Sequence, residues 1–174
     1  MSEQNLQFPI GPYIVPEPIN SKHHQDWVQR IASLPERLET LVKPLSTTQL
    51  ATPYRPGGWT VQQLIHHIAD SHMNAYIRFK LGMTEEEPTI KPYDQDAWSN
   101  LPDNKLPIEV SMTLIQGIHL RWTHCLEGFR DWQRKVYHPE QATTISLEVL
   151  AGMYAWHGDH HLAHIQNLIS RKGW

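Results

Sequence analysis

The sequence predicts an all-α protein, a four-helix bundle, from three observations. Four stretches repeat apolar residues at helical spacing, and each opens on a residue suited to a helix start. No segment carries a strong strand pattern. Between the second and third stretches lies a long connection, residues 84–105, punctuated by Pro88, Pro92 and Pro102, of a length that marks a crossover or a functional loop. At 174 residues the chain is sized for one domain, 1–174, with a core that needs no staples.

The first twenty residues hold Pro9, Pro12, Pro16 and Pro18 and read as an extended arm. Phe8, Ile10, Tyr13, Ile14 and Val15 give that arm apolar surface, so it is expected to pack on the domain. Ser21 is placed to cap a first helix whose stripe is Trp27, Val28, Ile31, Leu34, Leu38, Leu41 and Val42. Pro35 is a kink point within it, and Pro44 ends it. Ser46–Leu50 forms a further short turn of helix, followed by a loop, Thr52-Pro53-Tyr54-Arg55-Pro56-Gly57-Gly58-Trp59. Thr60-Val61-Gln62-Gln63 matches a capping box. The helix it opens carries Val61, Leu64, Ile65, Ile68, Met73, Ile77 and Leu81. A third helix runs from about Pro107 to Gly128, and residues 131–145 read as a loop or a short hairpin. Ser146 caps the last helix, with Leu147, Leu150, Tyr154, Leu162, Ile165, Leu168 and Ile169, which stops near Gly173.

A formal net charge of -3 with dispersed basic residues gives no reason to expect nucleic acid or an anionic membrane as partner. No apolar run approaches the ~20 residues of a membrane span. Met1-Ser2-Glu3-Gln4-Asn5 lacks a signal-peptide pattern, so a cytoplasmic protein is the expectation. Cys125 is the only cysteine, which excludes an internal disulfide and a thiolate zinc cluster. On its helical apolar pattern it reads as a buried structural thiol.

The histidines carry the chemistry. Trp156-His157-Gly158-Asp159-His160-His161-Leu162-Ala163-His164 sets four imidazoles at offsets of three, four and seven, one face of a helix. A plain core disfavours such crowding, because each buried imidazole needs polar partners; a metal ion takes imidazoles as ligands. His157 and His161, four apart, are the best chelating pair. A third ligand must come from elsewhere, and the second helix holds His66, His67 and His72 close to Asp70. His67 shares its phase with Leu64 and Ile68 more than His66 does. Asp70, Ser71, Asn74 and Arg78 follow His67 as a polar stripe suited to a cleft floor or, more plainly, to a solvated face.

The same stretch superficially parallels His-Glu-x-x-His, but Gly158 stands where the Glu base of those proteases belongs. A two-histidine, one-carboxylate site would need Asp70 or Asp159 as its carboxylate. Three imidazoles instead leave an ion's charge unneutralised and a position open, the catalytic zinc pattern. Such an ion lowers the pKa of water toward ~7 or deprotonates a thiol. His160 and His164 then act in support, with Asp159 and Glu148 as orienting carboxylates. Helix packing with a hydrogen bond accounts equally well for His164.

These residues also carry a family resemblance. Pro53-Tyr54-Arg55-Pro56-Gly57-Gly58-Trp59-Thr60-Val61, His66-His67-Ile68-Ala69-Asp70-Ser71-His72-Met73-Asn74 and Ile77-Arg78-Phe79-Lys80 resemble the YfiT branch of the DinB superfamily. Lys91-Pro92-Tyr93-Asp94, Ala97-Trp98, Arg121-Trp122, Tyr137-His138-Pro139, Trp156-His157 and Gly173-Trp174 extend the likeness over nearly the whole chain. The resemblance implies a four-helix bundle with a long crossover between its second and third helices. It implies one divalent ion per chain, zinc or nickel, held by one histidine of the second helix and two of the last. Matched by position these are His67, His157 and His161; Gly158-Asp159-His160 departs from the pattern between them and leaves them intact. It further implies a cytoplasmic homodimer.

Two activities come with the resemblance: metal-dependent hydrolysis, and S-transfer of a low-molecular-weight thiol as in the similar bacillithiol transferases. The favoured expectation is a metal-activated thiol attacking an electrophilic small molecule, with Arg55, Arg78 and Asn74 holding the substrate. In the hydrolytic alternative Asp70 or His160 takes the proton from metal-bound water. A metal-binding stress module without turnover is the third reading.

Overall fold

The computed structural model of the chain describes residues 6–174; the start of the arm, Met1–Asn5, lies outside the described residues. Four long helices dominate: α1 (Ser21–Val42), α3 (Val61–Thr84), α5 (Ile108–Glu127) and α6 (Leu147–Lys172). Short helices α2 (Thr47–Leu50) and α4 (Gln95–Ser99) and a 3-10 turn (Pro102–Lys105) lie in the connections. The segment read as loop or hairpin is a hairpin, β1 (Lys135–His138) antiparallel to β2 (Thr143–Ser146), with Lys135 opposite Ser146 and His138 opposite Thr143. The fold is thus a helical bundle with one small ribbon.

Local chemistry explains the helix boundaries. Asn20, rather than Ser21, caps α1: its Oδ1 accepts from the Lys22 and His23 amides, and His23 Nδ1 accepts from the Asn20 amide at 3.1 Å. Thr60 and Gln63 form the reciprocal box expected at the start of α3. Ser146 caps α6, which ends at Gly173 with φ 68, a left-handed conformation that glycine takes without steric cost.

Each long helix packs chiefly on two others: α1 on α5 and α6, and α3 on α5 and α6. The apolar core falls into two clusters along the bundle axis. One joins Leu34 and Leu38 of α1, Leu64 and Ile68 of α3, Met112 and Ile115 of α5, and Ile165 and Leu168 of α6. The other joins Trp27 and Ile31, Ala75 and Phe79, Trp122 and Leu126, and Leu147 and Leu150 of the same four helices. It follows that α1 and α6 run one way and α3 and α5 the other. Neighbouring parallel helices cannot be joined by a tight turn. The chain after the 24-residue α3 must return about 36 Å before α5 can begin, at 1.5 Å per residue. Residues 85–107 make that return, which is the physical reason for the long proline-rich crossover. Its first part is tied to the hairpin, the Ile90 amide donating to the Tyr137 carbonyl and the Tyr137 amide to Pro88, each at 2.9 Å.

The apolar stripe of α3 departs from expectation in its second half. Ile77 is half exposed, at 50%. The buried line instead continues through His72, Ala75, Phe79 and Gly82. That line keeps a three- and four-residue rhythm from Val61, but apart from Phe79 its members after Ile68 are small or polar, so hydrophobicity alone steers the reading towards Met73, Ile77 and Leu81.

The arm packs on α6. Tyr13 Oη donates to the Val149 carbonyl at 3.4 Å, and Trp156 Nε1 donates to Gly11 at 3.1 Å. Among the described residues no helix is long and apolar enough to cross a membrane.

Candidate metal centre

Between the two apolar clusters, all four long helices contribute to a layer of polar groups. His67 and His72 come from α3, His119 from α5, and His157, His160, His161 and His164 from α6. The backbone carbonyl of Ile31 comes from α1. His157 Nε2 lies 3.4 Å from His67 Nε2 and 3.1 Å from His161 Nε2. One ligand nitrogen from each of these three residues lies within 4.8 Å of the others.

Burial sets their protonation. It lowers His67 to about 4 and His157 and His161 well below the ordinary 6.5, the neighbouring imidazoles adding to the effect for the last two. The rings are therefore neutral near pH 7 and each keeps a lone pair. Three lone pairs converging in a desolvated layer suit a borderline-soft divalent cation, and the donor set fits zinc or nickel. Among the described residues no carboxylate enters this group, which is a three-histidine and not a two-histidine, one-carboxylate arrangement.

Over the triad lies a cavity of about 420 Å³. Its walls include Arg55 and Trp59 from the loop before α3, Gln95 and Asp96 from α4, and Phe8 from the arm. The loop is a tight turn, closed by the Tyr54 amide on Trp59 and the Gly58 amide on Arg55. Gly57 has φ 65, and a Cβ on Gly58 would stand 2.7 Å from Arg55 Cγ, so the Gly-Gly pair lets Arg55 and Trp59 both face inward. Trp59 packs 4.6 Å from the His67 ring. The Arg55 Nε is buried and has no hydrogen-bond partner among the described residues. A larger groove, about 850 Å³ beside α1 and Trp132, holds the His24–Glu148 pair but no converging donor set.

The remaining candidates are placed as follows. His160 and His164 flank the triad on the cavity side, their Nε2 atoms 3.0 Å apart, with His160 stacked on Trp156 and His164 tilted against Tyr54. With His161 they form a second close group, sharing that residue with the first. Asp70, Asn74 and Arg78 do not line the cavity. Arg78 is buried and donates to Tyr154 Oη and to the Lys91 carbonyl, each at 2.8 Å, pinning the crossover to the bundle. Asn74 donates to the Asp70 carbonyl. The Asp70 carboxyl is raised to about 6, first by burial and then by Asp103. Asp159 and Glu148 orient no histidine of the layer: Asp159 lies 2.7 Å from both Arg30 and Arg37, and Glu148 pairs with His24 and Gln133. His66 faces another way, bound to Ser111 Oγ at 2.7 Å and the Leu106 carbonyl at 3.0 Å.

Two further residues complete the layer: His72, grouped with His66 and His67 in the sequence but given no role of its own, and His119, which the sequence did not single out. His72 Nε2 lies 3.1 Å from His157 Nδ1, and His72 Nδ1 lies 2.9 Å from His119 Nε2. The signal for His119 was its place between Ile115 and Trp122 on the buried line of α5.

Comparison with known proteins agrees with this architecture. Residues 24–165 match the model of the DinB superfamily. A Bacillus cereus protein named "Putative metal-dependent hydrolase" is 47% identical over 172 residues, covering 98% of this chain and 99% of its own. A Bacillus pumilus protein of the same name is 48% identical over 172 residues, 98% of each chain. The solved structure of YfiT from Bacillus subtilis, described as a probable metal-dependent hydrolase with an unusual four-helix bundle topology, superposes with a TM-score of 0.94 at 47% identity. That match covers 98% of this chain and 99% of the other. The chain belongs to the DinB superfamily, in its YfiT-like branch.

Proposed function

We propose that this protein is a metal-dependent enzyme in which His67, His157 and His161 hold one divalent ion, zinc or nickel, beneath the cavity. The observation that carries the reading is the convergence of three neutral imidazole nitrogens, with no carboxylate among them, at the floor of an open space. Relatives matched over the whole chain carry metal dependence in their names, which supports it. A divalent ion with three neutral ligands supplies Lewis acidity that lowers the pKa of a thiol or water bound to it.

The nucleophile we favour is a low-molecular-weight thiol, transferred to an electrophilic small molecule. Arg55 supports this choice: its buried Nε has no partner among the described residues and sits in the cavity wall, where a guanidinium would hold a carboxylate of an anionic thiol. Trp59 and Phe8 supply apolar walls against which an electrophile can pack. A cytoplasmic homodimer belongs to the same proposal.

Hydrolysis is the second reading, favoured by the names of the relatives. His160 lines the cavity and is lowered to about 4, so it is a neutral proton acceptor near pH 7, whereas Asp70 does not reach the cavity.

The deciding experiment incubates zinc-loaded protein with a chromogenic electrophile, with and without added thiol. Product that forms only with thiol supports transfer; product that forms without it supports hydrolysis. Unchanged metal content in His67→Ala removes the proposed site.

A further inference from the structure

The layer contains a directional chain of hydrogen bonds that crosses all four long helices. It starts at the Ile31 carbonyl of α1, passes through His119 of α5 and His72 of α3, and ends at His157 of α6. Its origin lies in a proline. In a helix the carbonyl of residue 31 would accept from the amide of residue 35, but residue 35 is Pro35, inside α1, and has no N–H to give. The carbonyl left over accepts from His119 Nδ1 at 2.6 Å.

A carbonyl can only accept, and that single fact sets every later bond. His119 must carry its proton on Nδ1, so its Nε2 is an acceptor. His72 must then donate from Nδ1 to His119 and accept at Nε2, and His157 must donate from Nδ1 to His72. Reversing the chain would bring the bare Nδ1 of His119 against the Ile31 carbonyl. A neutral imidazole offers one N–H and one lone pair, so every bond of the chain is satisfied with one proton per ring.

We propose that His119 and His72 are positioning residues for the metal centre. They pass the polarity of the Ile31 carbonyl to His157, which is held with its proton on Nδ1 and its Nε2 lone pair turned towards His67 and His161. This inference rests on the proposed metal site, and it adds that the ligand's orientation is set in α1. His161 differs: its Nδ1 is buried with no partner among the described residues.

The test reads proton positions directly. Two-bond 1H–15N spectra of histidine-labelled protein at pH 7, metal-free and zinc-loaded, are expected to show His119, His72 and His157 all protonated on Nδ1. A proton on Nε2 of any of the three in the zinc-loaded protein overturns the proposal. A variant pair adds a second readout, zinc affinity by chelator competition. His119→Leu removes both donor and acceptor and is expected to weaken zinc binding by about 10- to 100-fold. His119→Gln carries an amide donor for Ile31 and a carbonyl acceptor for His72, and is expected to restore most of that loss. Equal affinities in His119→Leu and His119→Gln would mean that His119 only fills space, and also overturn the proposal. Failure of the metal reading looks different: wild-type protein then binds no zinc, while the metal-free spectra still decide the direction of the chain.

Discussion

The two flanks of the histidine triad are built on opposite plans. On one side His72 and His119 are buried, stacked 4.9 Å apart, and have a partner at every ring nitrogen. On the other side His160 and His164 border the cavity and hydrogen-bond to each other, and among the described residues His160 Nδ1 has no partner. A fully satisfied buried network is rigid, and an incompletely satisfied one facing a cavity is ready to take up a ligand. In the proposed enzyme the closed flank would set geometry and the open flank would meet substrate.

The largest effect expected from this contrast is on metal stoichiometry. His157 belongs to the triad and ends the closed chain, so His157→Ala should take bound zinc from about one ion per chain to background, measured by elemental analysis after gel filtration. His164→Ala, on the open flank, should leave about one ion per chain and act on turnover instead. Loss of the ion in His164→Ala would break the division of labour and shift the metal towards the second group, His160, His161 and His164.

A smaller effect tests what the flanks share. His119 and His160 are lowered to about 4 and His164 to about 3, all mainly by burial. As pH falls from 6.5 the unfolded chain takes up protons first, so stability present above 6.5 is lost on the way down to about 4. Asp70, raised to about 6, acts in the opposite sense between 6 and its ordinary 3.8, but it is one group against several. Thermal melts of metal-free protein should therefore fall steadily from pH 7 to pH 4. His119→Gln and His164→Gln should each flatten that fall. Flattening on one side only would mean that the flanks differ in desolvation as well as in bonding.

Much of the fold and half of this contrast were legible in the chain. The capping residues Thr60, Ser146 and Gly173 mark where helices begin and end because each answers a local need of the backbone. The crowding of histidines on α6 is visible because residues three and four apart must share a face. The closed flank was not visible. His119 is one of two histidines on α5, with no second imidazole three or four residues away, and its partner on α1 is a backbone carbonyl that carries no side-chain signature. The polar stripe Asp70, Asn74 and Arg78 was misplaced for a related reason. Helical phase says which residues share a face, but the crossover decides what that face meets, and here Arg78 meets Lys91.

The smallest effect concerns the origin of the closed flank. Pro35→Ala returns an amide opposite the Ile31 carbonyl and removes a residue that disfavours helix interiors by about 3 kcal/mol. The thermal midpoint of metal-free protein should hold or rise. The carbonyl has two lone pairs, so His119 need not be displaced, but it must now share its acceptor with a well-aligned amide. Zinc affinity should then fall by about threefold, less than the 10- to 100-fold typical of deleting a supporting residue outright. Opposite signs in the two measurements are the point of the experiment, since a proline that mattered only to helix stability would move the midpoint and leave the metal untouched. An affinity equal to that of the wild type would confine the origin of the chain to His119 and leave Pro35 without a part in the centre.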